Sequence, residues 1–251
     1  MVLKELTSIK LPRLHTLLSL LFWLTLWQLS SLFVAKKILL VSPIDTVKRL
    51  LELALTLDFW AVVVNSLSRI GLGFLCACLA GAALAVSACG GKWLYSLIKL
   101  PLSVINATPI VSFIILALLW IRARDLSMFI SFTMVLPMIF FSVHAGIMGV
   151  DKELTEMAAV FRLSRYKKAR VIYAPSVLPY FVAAASNAIG FAWKSGVAAE
   201  IVGLQRRSVG LELYQAKLYL ETADVFAWTL VVIVLSLITE KVFKKAVSLW
   251  R

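Results

Sequence analysis

The sequence predicts an all-α integral membrane protein with six transmembrane helices. Of its 251 residues, 61% are hydrophobic and 16% charged, against about 45–50% and about 25% in soluble domains. The apolar residues gather into six segments close to the roughly 20 residues that a spanning helix needs. Runs of that length are not the short alternating segments of a membrane barrel. A soluble fold, a disordered chain and a disulfide-stapled secreted domain are excluded, because so short a chain has too little interior to hide this apolar surface.

The first span covers about 14–34. It is too long for a signal peptide and lacks a small-residue cleavage site. Ser42-Pro43, followed by Asp45-Thr46-Val47-Lys48-Arg49-Leu50-Leu51, reads as a helix start with proline in the first turn. Its leucines and charges suit a short amphipathic helix at the membrane interface. The second span, about 61–88, carries Gly73, Ala77 and Gly81 at four-residue spacing, a pattern that lets helices approach closely. The third, 100–120, holds Pro101 and Pro109, and the fourth, 126–150, holds Pro137. Such prolines bend membrane helices. A polar loop at 151–170 leads to the fifth span, 176–202. Segment 204–223 is too polar to span, and 225–242 forms the last span.

The net charge of +13 suits a membrane chain that keeps lysine and arginine on its cytoplasmic side. No basic stripe with interleaved aromatics lies outside the spans, so nucleic acid is not an expected partner. One side holds Lys4, Lys10, Arg13, Lys92, Lys99, six cations from Lys152 to Arg170, Lys241, Lys244, Lys245 and Arg251. The other holds Lys36, Lys37, Lys48, Arg49, Arg122, Arg124, Arg206, Arg207 and Lys217. Fifteen against nine places both termini and the 151–170 loop in the cytoplasm.

In that loop Asp151 is a capping residue, and Glu153 and Glu156 lie in the first turns, where their charge favours the positive helix end. Leu154, Met157, Ala158 and Phe161 recur at spacings of three and four, one apolar stripe on a short helix. Ser164 then caps a second helix, 165–174, which Pro175 ends or kinks. An apolar stripe outside lipid either meets a partner protein or packs on the chain's own spans.

Glu156-Met157-Ala158, Arg162 six beyond the glutamate, Ile172, Ala174-Pro175 and Leu178-Pro179 resemble the E-A-A…G…I-x-L-P loop of binding-protein-dependent ABC importer permeases. Val41-Ser-Pro-Ile-Asp-Thr-Val47, the run from Asn65-Ser66-Leu67-Ser68-Arg69 to Gly73-Phe74, Thr108-Pro109-Ile110 with Leu118-Leu119-Trp120, and Gly190-Phe191-Ala192-Trp193 with Ala198-Ala199-Glu200 are similar to segments of the nitrate/sulfonate/taurine group. Three residues depart from the loop pattern: Met157 for alanine, Arg162 for glycine and Ala174 for leucine. Arginine takes the left-handed backbone that glycine allows only at a cost.

The resemblance implies a type I ABC importer permease, one permease domain over 1–251 with a cytoplasmic coupling helix in the loop at about 151–175. Glu153, Glu156, Met157, Ala158, Phe161, Arg162 and Pro175 would then form the ATPase-coupling surface. It implies two ATPase subunits, a second copy of the permease, an extracytoplasmic solute-binding protein and a bacterial cytoplasmic membrane. The group handles sulfonates, nitrate, bicarbonate and thiamine-precursor pyrimidines. A permease for such a heterocycle is therefore an alternative to one for an anion. An energy-coupling scaffold subunit of a vitamin importer is another, but its paired Ala-Arg-Gly-type signatures need two long cytoplasmic helices where one loop exists here.

Three charges fall within spans, where they face protein or water. Lys194 lies roughly 27 Å from the cytoplasmic start of its span at 1.5 Å per residue, and Glu200 sits at the outer mouth. Six residues separate the two, about 240° around a helix, so they do not share a face. Lys194 either lines the conduit toward an anion or snorkels outward. Glu200 is a gate or a scaffold residue, Trp193 a path, belt or packing residue, and Arg69 an interfacial one. Cys76, Cys78, Cys89, His15 and His144 lack the spacing of a metal or disulfide site. Gly90-Gly91-Lys92 lacks the upstream glycine of a Walker loop. No catalytic set, metal or cofactor is expected, and ATP hydrolysis falls to a separate subunit.

Overall fold

The computed structural model describes residues 11–34, 36 and 38–248; Lys4, Lys10, Lys37 and Arg251 of the charge count lie outside them. Among the described residues every element is helical. In chain order these are α1 (Leu11–Val34), α2 (Pro43–Ala54), α3 (Leu57–Ala88), α4 (Lys92–Ala107), α5 (Ile110–Ala117) and α6 (Leu126–Met148). There follow α7 (Lys152–Val160), α8 (Arg165–Lys168), α9 (Ala174–Val202), α10 (Val209–Leu218) and α11 (Thr222–Ser248). Helices α1, α3, α6, α8 running on into α9, and α11 are long and apolar enough to cross a membrane.

The third expected span is not one straight helix. α4 and α5 meet at an angle of 108°, and they qualify as a span only as that bent pair. Thr108 is extended (φ −76°, ψ 131°), the conformation that the following proline ring imposes on its neighbour. Pro109 then caps α5 without a side-chain hydrogen bond. Pro101 and Pro137 remain inside α4 and α6.

The chain forms two compact units. In the first, the residues up to Phe59 join Leu213–Leu230. Ser42 caps α2 by accepting the Asp45 N–H at 3.1 Å, as its sequence predicts. The Trp27 indole N–H donates to the Val41 carbonyl at 3.0 Å, and its ring stacks on Phe226. Arg49 on α2 forks onto Asp224 of α11, Nε to Oδ1 at 2.5 Å and Nη2 to Oδ2 at 3.0 Å, while Nη1 reaches Glu52 at 3.0 Å. Its hydrogen bonds to Asp224 and Glu52 push the guanidinium pKa above its ordinary value, so it stays charged.

The second unit, Trp60–Glu212 with Val231 onward, is built around α6. α3 reaches it through small residues: a Cβ on Gly73 would fall inside contact distance of the Met128 carbonyl, Ala77 is fully buried, and a Cβ on Gly81 would lie 2.9 Å from Ile139. The four-residue spacing therefore does bring two helices close. α9 packs where these two helices meet: a Cβ on Gly196 would stand 2.7 Å from both Ile70 of α3 and Ser131 of α6. Ile114 and Ala117 of α5 close a core with Leu126, Ile130, Met134 and Ala199. His144 is a packing residue, its ring stacked 4.4 Å from Tyr95.

Candidate functional site

Two places hold the residues singled out by sequence. The first is the polar segment after α6. Asp151 caps α7 by accepting the Glu153 N–H at 3.0 Å, leaving Glu153 in the first turn against the helix dipole. Of the four apolar stripe residues, Ala158 is buried at 2%, whereas Leu154, Met157 (47%) and Phe161 (71%) are exposed. The chain itself buries one residue of the stripe and leaves three exposed. Glu153, Glu156, Arg162 and Pro175 are exposed as well, so six of the seven expected coupling residues are accessible.

α7 ends in a left-handed turn. The Leu163 N–H donates to the Ala158 carbonyl at 2.9 Å and the Arg162 N–H to the Ala159 carbonyl at 3.0 Å, the paired bonds of a Schellman motif. Arg162 occupies its left-handed position with φ 47°. The arginine thus adopts the backbone for which the family pattern supplies glycine, at a cost of roughly 1–2 kcal/mol. Its positive charge beside the last carbonyls of α7 offsets part of that.

The second helix of the loop starts where expected, with Ser164 accepting the Lys167 N–H at 3.3 Å. It does not stop at Pro175. Residues Ala169–Tyr173 form a π turn, the Ala174 N–H reaching back to the Ala169 carbonyl, and α9 continues directly from it. The wider turn takes up the ring and missing N–H of a proline in the first turn of α9, which in an unbroken α-helix would clash with the preceding turn. The second helix of the loop and the fifth span are consequently one rod of 38 residues, Arg165–Val202.

The second place is the far end of α9. Glu200 is fully buried at 0%. Its Oε2 accepts the Gly210 N–H at 3.0 Å, Ser66 accepts the Val209 N–H at 2.9 Å, and Ser208 accepts the Leu211 N–H at 3.1 Å. Three of the four open N–H groups at the start of α10 are thereby satisfied by side chains, and the carboxylate meets the positive helix end. A Cβ on Gly210 would collide with Glu200, so only glycine lets α10 come this near. Arg69 interacts electrostatically with the same carboxylate and donates to the Arg206 carbonyl at 3.4 Å. α9 itself ends in a second Schellman turn, Gln205 N–H to Glu200 carbonyl at 3.0 Å, with Leu204 left-handed at φ 46°.

Trp193 is buried, and its indole N–H donates to Thr239 Oγ1 at 3.2 Å on α11, a packing arrangement. Lys194 is exposed on another side of α9 and makes no ion pair among the described residues. It stands seven residues from Asn187, also exposed. Sequence reading passed over Asn187, although two polar residues two turns apart in an apolar span were a usable signal. It also passed over Ser66 and Gly210, whose partner, Glu200, lies in another helix.

A family model described as "Binding-protein-dependent transport system inner membrane component" matches residues 70–244. A protein of Bacillus subtilis (strain 168) named as an aliphatic sulfonates transport permease, SsuC, is 24% identical over 234 residues, 91% of this chain and 84% of that one. The nitrate import permease protein NrtB of Leptolyngbya laminosa is 25% identical over 145 residues, 57% of this chain and 52% of its own. That of Synechococcus elongatus is 29% identical over 144 residues, covering 56% and 50%. The chain thus spans about half the length of these nitrate permeases. Among solved structures, the inward-facing MetNI methionine ABC transporter aligns with a TM-score of 0.56 and 14% identity over 74% of this chain and 93% of that one. An amino acid ABC transporter aligns at 0.57 and 18%, over 77% and 92%. Both likenesses concern the fold.

Proposed function

The chain belongs to the binding-protein-dependent transport system inner membrane component family, and from that premise we propose that it is the transmembrane subunit of an ABC importer for a small oxyanion, a sulfonate or nitrate. Two copies form the conduit, two ATPase subunits bind below and a solute-binding protein delivers substrate from outside. ATP hydrolysis belongs to the ATPase subunits, and both termini face the cytoplasm. The anion class draws on the sulfonate and nitrate relatives and on the one lysine exposed along α9.

The observation that carries this reading is the open edge of α7. Leu154, Met157 and Phe161 are apolar side chains outside any membrane span, and their own chain leaves all three exposed, Phe161 most of all. Burying them against an ATPase cleft removes apolar surface from water, worth about 25 cal/mol per Å² before association costs. Glu153, Glu156 and Arg162 rim that edge and fix its register. Movement of the ATPase then passes through α8 and the π turn into α9 and rocks the spans between two arrangements. Pro175, at the top of the π turn, marks where the push enters the span.

Co-purification from membranes with the cognate ATPase tests this. Glu156→Lys combined with Met157→Asp places a reversed charge and a carboxylate in the contact. The wild type is expected to retain the ATPase and the double variant to lose it. Equal retention by both would remove the coupling role from α7.

A further inference from the structure

We propose that the open face of α9 made by Asn187, Gly190 and Lys194 is an oxyanion site on the transport path. The proposal rests on the importer reading and names the substrate-facing residues within it. Positions 183, 187, 190, 194 and 198 follow one another at spacings of three and four, which places them along one side of the helix. Their residues are Ala, Asn, Gly, Lys and Ala. Asn187 and Lys194 are exposed, and Ala183 with them. A Cβ on Gly190 would make an ordinary contact with Ser236 Oγ of α11 at 3.9 Å and meet no other atom within 4 Å, so the half-buried surface between the two polar side chains is bounded on one side by that hydroxyl.

Such a face does not suit lipid. The lipid-suited pattern is seen on α1, whose exposed residues include Leu17, Leu21, Phe22, Leu29 and Phe33. The α9 line carries no branched aliphatic or aromatic side chain. Lysine near a helix end can snorkel to the headgroups, but asparagine is too short, and Asn187 lies about 22 Å from the Val202 end at 1.5 Å per residue. An unpartnered amide at that depth is satisfied by water or by a ligand, not by hydrocarbon. Asn187 and Lys194 make no side-chain hydrogen bond within the described chain, so their donors are available.

The donor chemistry selects the ligand. The ammonium brings a positive charge and three N–H groups, and the amide brings two more. They stand about 10 Å apart along the helix axis, with glycine between. A monovalent oxyanion, the chemistry shared by sulfonate and nitrate, can sit over Gly190 or pass from one donor to the other. A single lysine without a partner carboxylate attracts the anion without holding it permanently.

Thiol labelling reads this directly, in the complex with its ATPase in proteoliposomes. Cys76, Cys78 and Cys89 are replaced by alanine and Asn187→Cys is introduced. The thiol is then challenged with an anionic sulfonatoethyl and a cationic trimethylammonioethyl methanethiosulfonate. Position 187 is expected to react with both, with the rate ratio favouring the anionic reagent. Adding Lys194→Gln should lower that ratio about fivefold, the effect of one charge about 10 Å away in a hydrated path. Lys194→Arg should keep it. With native Asn187, Lys194→Gln should reduce ATP-driven uptake of ethanesulfonate or nitrate at least about tenfold, while Lys194→Arg retains most of it. A thiol at 187 inert to both reagents, or a ratio indifferent to Lys194, overturns the site. Loss of the ATPase from the wild-type complex would instead overturn the importer reading, and the labelling ratio would still report on the face.

Discussion

The two ends of the rod from α8 to α9 depart from ordinary burial in opposite senses. At the α7 end, Met157 and Phe161 hold apolar side chains in the open. At the far end, Glu200 holds a carboxylate fully inside. One oxygen of the buried group, Oε2, is held within its own chain by the N-terminus of α10, while Oε1 has no hydrogen-bond partner among the described residues. The exposed groups have no such cover. A buried carboxylate bonded to a helix start of its own chain belongs to the packing of that chain, whereas an exposed apolar edge outside the spans suits a partner surface. The contrast agrees with the proposal that α7 is a partner surface, and it favours a scaffolding role for Glu200 over a gate.

Substitutions at the two ends should therefore differ in kind. Glu200→Ala leaves the Gly210 N–H buried without an acceptor and should destabilise the solubilised permease by about 2 kcal/mol. A lowered denaturation midpoint checks this, and Glu200→Gln, which keeps an acceptor, should lose about half as much. If Glu200→Ala unfolds like wild type but stops uptake, the residue is a gate and the contrast breaks. Phe161→Ala should leave chain stability within about 0.5 kcal/mol, since the side chain is exposed. Titrating purified ATPase onto the permease should nonetheless show affinity reduced about tenfold.

The two Schellman turns sharpen the comparison further. Arg162→Gly should stabilise the chain by about 1 kcal/mol, because glycine takes φ 47° without strain. Leu204→Gly relieves the same backbone strain but removes a half-exposed leucine, so its gain should be smaller, about 0.5 kcal/mol. Denaturant titration of both variants in one detergent orders them. A larger gain at Leu204 would mean that its side chain contributes nothing to the end of α9.

Much of this was legible in the sequence. The caps at Ser42, Asp151 and Ser164 obey local chemistry, and each accepts the N–H two or three residues on. Five spans match continuous apolar runs. The 108° bend was less legible, because Pro101 and Pro137 sit inside helices while Pro109 breaks one. The difference lies in Thr108 leaving helical backbone, which the presence of a proline does not determine. Arg162 stands where the resembled loop pattern has glycine, which left the turn in doubt, and the left-handed turn forms with two backbone hydrogen bonds to hold it. The enclosure of Glu200 depended on Gly210 and Ser66, residues from other helices that no local pattern connects to it.

The π turn at Ala169–Tyr173 also has a meaning for winding. An α-helix advances about 100° per residue, so one residue added or removed within α9 would swing every face above it by more than a quarter circle. A π turn houses an extra residue within a single turn and leaves the flanking helices in phase. Removing one residue from 169–173 should accordingly tighten that turn to an ordinary one, leaving the rod close to its present length and its faces still aimed as before. The same deletion between Pro179 and Lys194 should turn one end against the other. The aim of the rod's faces is thus indifferent to one residue lost at the π turn and sensitive to one lost within α9.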